Sequence, residues 1–173
     1  MAMGEYCPIL QIVGYQNSGK TTLMQKLIVH AKEKGLSAAS IKHHGHGSGL
    51  ENSGSSKDSS LHFQAGALVS SVNGEGVLQL SARIEQWGLD DIIELYRFFL
   101  PDLIFIEGYK NASYPKVVLI RNDGDFHLLK TLKNIMCIIS EVPISEDDIS
   151  FAPIFSRKEE KKFFEYIWRE ITK

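Results

Sequence analysis

The sequence predicts an α/β fold: a mostly parallel central sheet with helices on both faces and one antiparallel hairpin. Three observations predict it. Apolar runs of strand length alternate with stretches of helical periodicity. The first apolar run ends directly in a glycine-containing turn that opens a helix. Further on, two short apolar stretches flank Asn73-Gly74-Glu75-Gly76, a hairpin signal. A length of 173 residues fits one domain, 1–173.

Taken in order, Ile9, Leu10, Ile12 and Val13 make a strand that stops at Gly14. From residue 20 to about 34, Leu23, Leu27 and Ala31 recur at helical spacing with Met24 and Ile28 beside them, and Gly35 supplies the stop. Residues 37–41 read as a second strand, and a β-α-β connection of this size implies parallel pairing. Residues 45–60 differ in kind, with four glycines, six serines and almost nothing apolar. A polar loop of that length is functional or disordered. A short helix is predicted at 60–65, then hairpin strands at 67–72 and 77–80. Residues 89–100 form a helix with Ile92, Ile93, Tyr96 and Phe99 on one side, closed by Pro101. Apolar strands follow at 103–106, 117–120 and 135–139. A last helix at 158–171 carries Phe163, Phe164, Ile167 and Ile171.

Composition narrows the function. A chain 43% hydrophobic and 23% charged buries a real core, and a net charge of -2 predicts neither nucleic acid nor a membrane surface as partner. Cys7 and Cys137 lie far apart in apolar runs and read as buried free thiols of a reducing cytoplasm, a disulfide between them being the other, unneeded reading. No basic segment followed by an apolar core opens the chain, and no run approaches the ~20 apolar residues of a membrane span. A cytoplasmic location is expected.

Gly14-Tyr15-Gln16-Asn17-Ser18-Gly19-Lys20-Thr21 fits the P-loop pattern Gly-x₄-Gly-Lys-Thr, here between a strand and a helix. Phosphate needs several donors converging on a small volume. A glycine turn supplies them as consecutive backbone N–H groups, and the following helix adds the positive end of its dipole. Gly14, Gln16, Asn17, Ser18, Gly19, Lys20, Thr21 and Thr22 are the expected nucleotide-binding residues, with Lys20 on the outer phosphates and the Thr21 hydroxyl on Mg²⁺.

A P-loop also needs an acidic residue near the metal, and such sheets place ligands at the carboxyl ends of buried strands. Glu107, after Leu103-Ile104-Phe105-Ile106, occupies that place and is the candidate catalytic residue. Its length suits a water-mediated contact to Mg²⁺ or polarisation of an attacking water; the other reading is a strand-end carboxylate in solvent. Asp58 is a second candidate acid, or an ordinary loop charge. Lys42-His43-His44-Gly45-His46 admits three readings: contact with an anionic ligand, a solvated loop, or a metal site whose further ligand has no recognisable spacing.

Together these segments resemble the MobB family of molybdopterin-guanine dinucleotide biosynthesis proteins. The matching pieces, in the family's order, are Gly14 to Leu23, Ile41-Lys42-His43, Ser56-Lys57-Asp58-Ser59 with Ala65-Gly66-Ala67, Ile106-Glu107-Gly108-Tyr109-Lys110, and Pro115-Lys116-Val117-Val118 ending at Arg121. Where the family has Pro-Gly before Lys-Asp-Ser, this chain has Ser55-Ser56. The resemblance implies a GTP-binding accessory protein with weak Mg²⁺-dependent GTPase activity. It further implies a homodimer assisting a separate nucleotidyltransferase that joins GMP to molybdopterin. On that footing Lys42, His43 and Asp58 surround the pterin phosphate, the cationic groups holding it while Asp58 meets Mg²⁺ or a pterin amine, and Glu141, in Ser140-Glu141-Val142-Pro143, reads guanine N1 and N2. An ordinary loop acid is the other reading of Glu141.

Two alternatives remain at this point, a small-molecule kinase and a metal-delivery GTPase. Against the kinase, residues 45–60 contain no arginine, and none of Arg83, Arg97, Arg121, Arg157 and Arg169 stands in an obvious position to reach a γ-phosphate. Slow hydrolysis is therefore expected.

Overall fold

The apolar runs at the centre of the sequence are strands covered on both faces. β1 (Ile9–Val13), β5 (Leu103–Glu107) and β6 (Lys116–Ile120) are buried at every position. That explains sequences with almost no polar alternation. The computed structural model describes residues 7–43, 57–145 and 149–173, the side chains of 57–59 apart. It divides into two compact units, Met1–His43 with Ile93–Lys173, and His44–Ile92.

In the first unit β1 runs into α1 (Lys20–Glu33), followed by β2 (Ala38–Lys42). After β5 and β6 come α4 (His127–Thr131), β7 (Ile135–Ser140), β8 (Ile154–Ser156) and α5 (Glu160–Ile171). The sheet order is β2-β5-β1-β6-β7-β8, every pair parallel. β1 and β2 are parallel, as their connection implies, but they are not neighbours: β5 lies between them, with Ile104 opposite both Ile9 and Ala39.

Residues of alternating parity build the two layers. Leu10, Ile12, Phe105, Val117, Leu119 and Ile139 face α1 and α5 through Leu23, Leu27, Ala31, Phe163 and Ile167. Val13, Val118, Ile120 and Ile138 face the other way and meet Leu128 and Leu129 of α4. Helices thus cover both faces. Cys7 and Cys137 are free and buried, and burial pushes the Cys137 thiol up to about 12.

The second unit holds α2 (Lys57–Gln64), β3 (Val69–Gly74) and β4 (Val77–Ala82). β3 and β4 pair antiparallel from Val69↔Ala82 to Gly74↔Val77. Glu75 (φ 50) and Gly76 (φ 79) both take positive φ, the requirement of a two-residue hairpin turn that matches strand twist. Arg83 stacks its guanidinium 3.9 Å from the Phe63 ring centroid, tying the end of α2 to the hairpin.

Some bounds differ from expectation. The helix predicted at 89–100 is α3 (Leu89–Tyr96), then a 3₁₀ turn Arg97–Phe99 that Leu100 ends at φ 46 ahead of Pro101. α2 begins three residues earlier than the predicted 60–65. β8 and α4, of three and five residues, have no counterpart in the sequence reading, being too short to show a period. Among the described residues no helix is long and apolar enough to cross a membrane.

Candidate functional site

All six parallel strands deliver their carboxyl ends to one edge, so the segments after β1, β2, β5, β6, β7 and β8 share it. The segment after β1 is a tight loop. Ser18 N donates to Tyr15 O at 3.3 Å, and Asn17 (φ 61) and Gly19 (φ 87) both turn left-handed. A Cβ on Gly14 would lie 2.6 Å from Ser18 Oγ, and one on Gly19 only 2.0 Å from Arg157 Nη2. Gly14 is therefore required by the close approach of Ser18 Oγ and the Leu119 carbonyl, and Gly19 by its left-handed φ. Gly19 caps α1 with no side-chain hydrogen bond, and the first turn carries no acid. Its N–H groups lack intrahelical acceptors and its dipole is unopposed, which favours an anion.

The charged groups of this edge converge on the loop. Thr21 Oγ1 donates to Glu107 Oε2 at 3.1 Å, and Lys42 Nζ lies 3.5 Å from Glu107 Oε1. Lys20 Nζ donates to Tyr15 O at 2.7 Å. Burial holds Lys20 below the ordinary lysine value; Glu107 works against that shift, and the neighbouring Lys110 and Lys42 charges reinforce it. A cleft of about 490 Å³ is lined by Gln16, Asn17, Gly19, Lys20, Thr21, Lys42 and Glu107.

These residues fit both groups the sequence implies. A hydroxyl and a carboxylate in contact beside a lysine are the hard oxygen donors Mg²⁺ prefers. Ser18 Oγ is buried without a partner, an unsatisfied polar atom inside a loop shaped for an anion.

The remaining predicted residues lie as follows. His43 sits at the rim. Its N–H donates to Glu107 O at 2.9 Å, its ring packs 4.5 Å from that of Tyr109, and a Cβ on Gly108 (φ 96) would come within 2.9 Å of His43 Cβ. Thr22 is exposed on the first turn of α1, outside the cleft lining. Glu141 is exposed just past β7 and its backbone N–H donates to Ile120 O at 2.9 Å; it does not line the cleft either. The Asp58 side chain, His44 and His46 lie outside the described residues. Among the described residues no group of three or more His, Cys, Asp or Glu is placed to hold a metal.

Several functional neighbours were not found by sequence reasoning. Gln11 is buried in β1 and donates from Nε2 to Gly108 O at 3.1 Å and Tyr109 O at 2.8 Å, fixing the chain just after Glu107. Its register partner on β6 is Lys116, fully buried, whose Nζ donates to Tyr114 O at 3.0 Å and to Ala112 O. Burial lowers the Lys116 pKa. The signal for both was a polar residue inside, or at the head of, an otherwise apolar strand.

Two arginines also touch the phosphate loop. Arg157 Nη1 donates to Ser18 O at 3.0 Å and Arg121 Nη1 to Gln16 O at 3.4 Å. Tyr15 is gripped from outside, its hydroxyl hydrogen-bonded to His127 Nε2 and its ring centroid 4.0 Å from Lys110 Nζ. No spacing in the sequence reveals these contacts.

A parallel sheet whose first strand feeds a Gly-x₄-Gly-Lys-Thr loop and helix, with an acid ending the adjacent strand, defines a P-loop NTPase fold. Solved structures agree: a MobB protein homolog from Bacillus stearothermophilus superposes with TM-score 0.77 at 34% identity, covering 95% of this chain and 97% of that one. Bacillus subtilis MobB superposes with TM-score 0.74 at 40% identity over 90% and 93% of the two chains. The family model described as molybdopterin guanine dinucleotide synthesis protein B matches residues 9–141, and the chain belongs to this MobB family. A probable molybdopterin-guanine dinucleotide biosynthesis adapter protein of Bacillus subtilis (strain 168) is 45% identical over 139 residues, 80% of this chain and 79% of that protein. The Haemophilus influenzae adapter protein is 30% identical over 146 residues, 84% and 81% of the two.

Proposed function

We propose that this chain is a GTP-binding adapter of molybdopterin-guanine dinucleotide biosynthesis, holding GTP and Mg²⁺ on the phosphate loop while a separate nucleotidyltransferase joins GMP to molybdopterin. The family and the adapter relatives support the pathway. The observation that carries nucleotide binding is the Thr21–Glu107 contact at 3.1 Å beside Lys20, at the mouth of an uncapped, glycine-lined helix start.

Thr21 and Glu107 would hold Mg²⁺, which when bound neutralises charge between the outer phosphates. Lys20 leaves the Tyr15 carbonyl to meet those phosphates. Glu107 is engaged by Thr21 and Lys42 together. A carboxylate so occupied is poorly free to take a proton from water, which favours slow turnover and an adapter role over a fast enzyme. In this reading Lys42 and His43 hold the pterin phosphate, Asp58 meets Mg²⁺ or a pterin amine, and Glu141 reads guanine. The protein acts as a homodimer through the β3–β4 hairpin, whose Val69, Val77, Leu78 and Leu80 are all about half exposed or more.

The test is titration calorimetry of GTP with Mg²⁺ against wild type and Lys20→Ala. Loss of the point charge should weaken GTP by about a hundredfold or more, with the melting temperature close to wild type. Wild-type affinity in the variant would defeat the assignment of the loop.

A further inference from the structure

We infer that Arg157 is the platform for the nucleoside of the bound nucleotide, its guanidinium stacking on the purine; this rests on the nucleotide-binding reading above and extends it to a residue beyond the stretch that the family model matches. The sheet order supplies the first argument. β1 and its loop have β5 and β2 on one side and β6, β7 and β8 on the other. Glu107 and Lys42, which end β5 and β2, stand with Thr21 and Lys20 on the side that takes metal and outer phosphates. A nucleotide held there by its outer phosphates leaves the loop toward the opposite side. The segments that end at that side's edge are those after β6, β7 and β8, where Arg121, Glu141 and Arg157 lie; of the two arginines, Arg157 makes the shorter bond to the loop, 3.0 Å against 3.4 Å.

The second argument is how Arg157 is held. Its backbone N–H donates to Ser140 O at 2.8 Å, docking it on the end of β7. The turn behind it is fixed by Ser156 N donating to Glu159 Oε2 at 3.0 Å. The guanidinium is fixed in turn by Nη1 on Ser18 O, and its Nη2 occupies the space that a Cβ on Gly19 would fill. A long flexible side chain is thereby immobilised before any ligand arrives, which removes most of the entropy cost of using it.

Third, none of the ion pairs among the described residues involves Arg157. A half-buried cation held by a neutral carbonyl, with no carboxylate partner among the described residues, is matched to an incoming group. A planar guanidinium offers an aromatic base a face as well as a charge. Because it lies on the loop's outer wall, at the Ser18 carbonyl, it can hold the nucleoside without competing with Lys20 for the outer phosphates.

The experiment is calorimetry with Mg²⁺ on the full chain, titrating GTP and, separately, inorganic tripolyphosphate into wild type, Arg157→Ala and Arg157→Lys. Tripolyphosphate keeps the phosphates and lacks the nucleoside. Arg157→Ala should weaken GTP about tenfold and leave tripolyphosphate within about twofold of wild type. Arg157→Lys, which keeps the charge without the plane, should stay several-fold weak toward GTP. Equal losses for both ligands would place Arg157 on the phosphates or in the shaping of the loop, and overturn the inference. So would GTP affinity unchanged in Arg157→Ala, or fully restored by lysine. A wild type with no affinity for GTP is a different result: it overturns the nucleotide reading itself, and this inference with it.

Discussion

The six-stranded sheet and the β3–β4 hairpin draw on the same apolar residue types, yet their side chains end in opposite surroundings. In β1, β5 and β6 every residue is buried, down to a glutamine and a lysine. In the hairpin Val69, Val77, Leu78 and Leu80 are 51%, 62%, 55% and 49% exposed. A two-stranded ribbon has no second layer of its own to cover a face, whereas each inner strand of the sheet has two neighbours and helices above and below. Apolar character alone therefore does not say what a strand is for. In the sheet it drives folding; on the hairpin it is surface that another molecule can cover.

That contrast makes quantitative claims. Phe105→Ala empties a fully buried site between β5 and the α1–α5 layer. It should cost about 3–5 kcal/mol in urea unfolding. A loss below ~1 kcal/mol would mean the sheet is not the tightly packed core described.

Lys116→Met keeps the volume but strips the donor from the Ala112 and Tyr114 carbonyls. About 1–3 kcal/mol should be lost. Because burial lowers the Lys116 pKa, the folded chain releases this proton before the unfolded chain does. Wild-type stability therefore rises relative to Lys116→Met as pH climbs from the lowered folded value toward 10.5. A gap constant across that range would show that the lysine is not buried as a cation.

The smallest effect belongs to the hairpin. Leu78 and Leu80 lie on one face of β4. Leu78→Ser with Leu80→Ser should change unfolding free energy by about 0.5 kcal/mol or less. The same pair should shift sedimentation toward the monomer. Unaltered association would remove the hairpin as the dimer surface, and a large stability loss would erase the contrast between the two regions.

The legible part of the site was the part contiguous in sequence. Gly14 to Thr21 needs its glycines at a fixed spacing between an apolar run and a helical period, and each of those is a local pattern. Glu107 was legible because a lone acid ending a buried strand has few other reasons to be there. Lys42 was placed at the shared edge by the β-α-β rule alone, although the rule gave no hint that β5 would insert between β1 and β2. Strand adjacency is settled by which faces pack and which crossovers fit, and parallel strands carry no hairpin turn to announce their partner.

By itself the sequence determined that a Gly-x₄-Gly-Lys-Thr turn lies between a buried strand and a helix, that the sheet is parallel with an acid at its carboxyl edge, and that a hairpin is present. These follow from backbone freedom and hydrophobic period, which act over a few residues. Only the tertiary structure decided that Thr21 meets Glu107, that Lys116 is buried under the loop it supports, and that Arg157 reaches Ser18 from 139 residues away. Such contacts are set by sheet order and side-chain reach across strand ends. The free energy that fixes them comes from burying the whole sheet, not from any pattern within one segment.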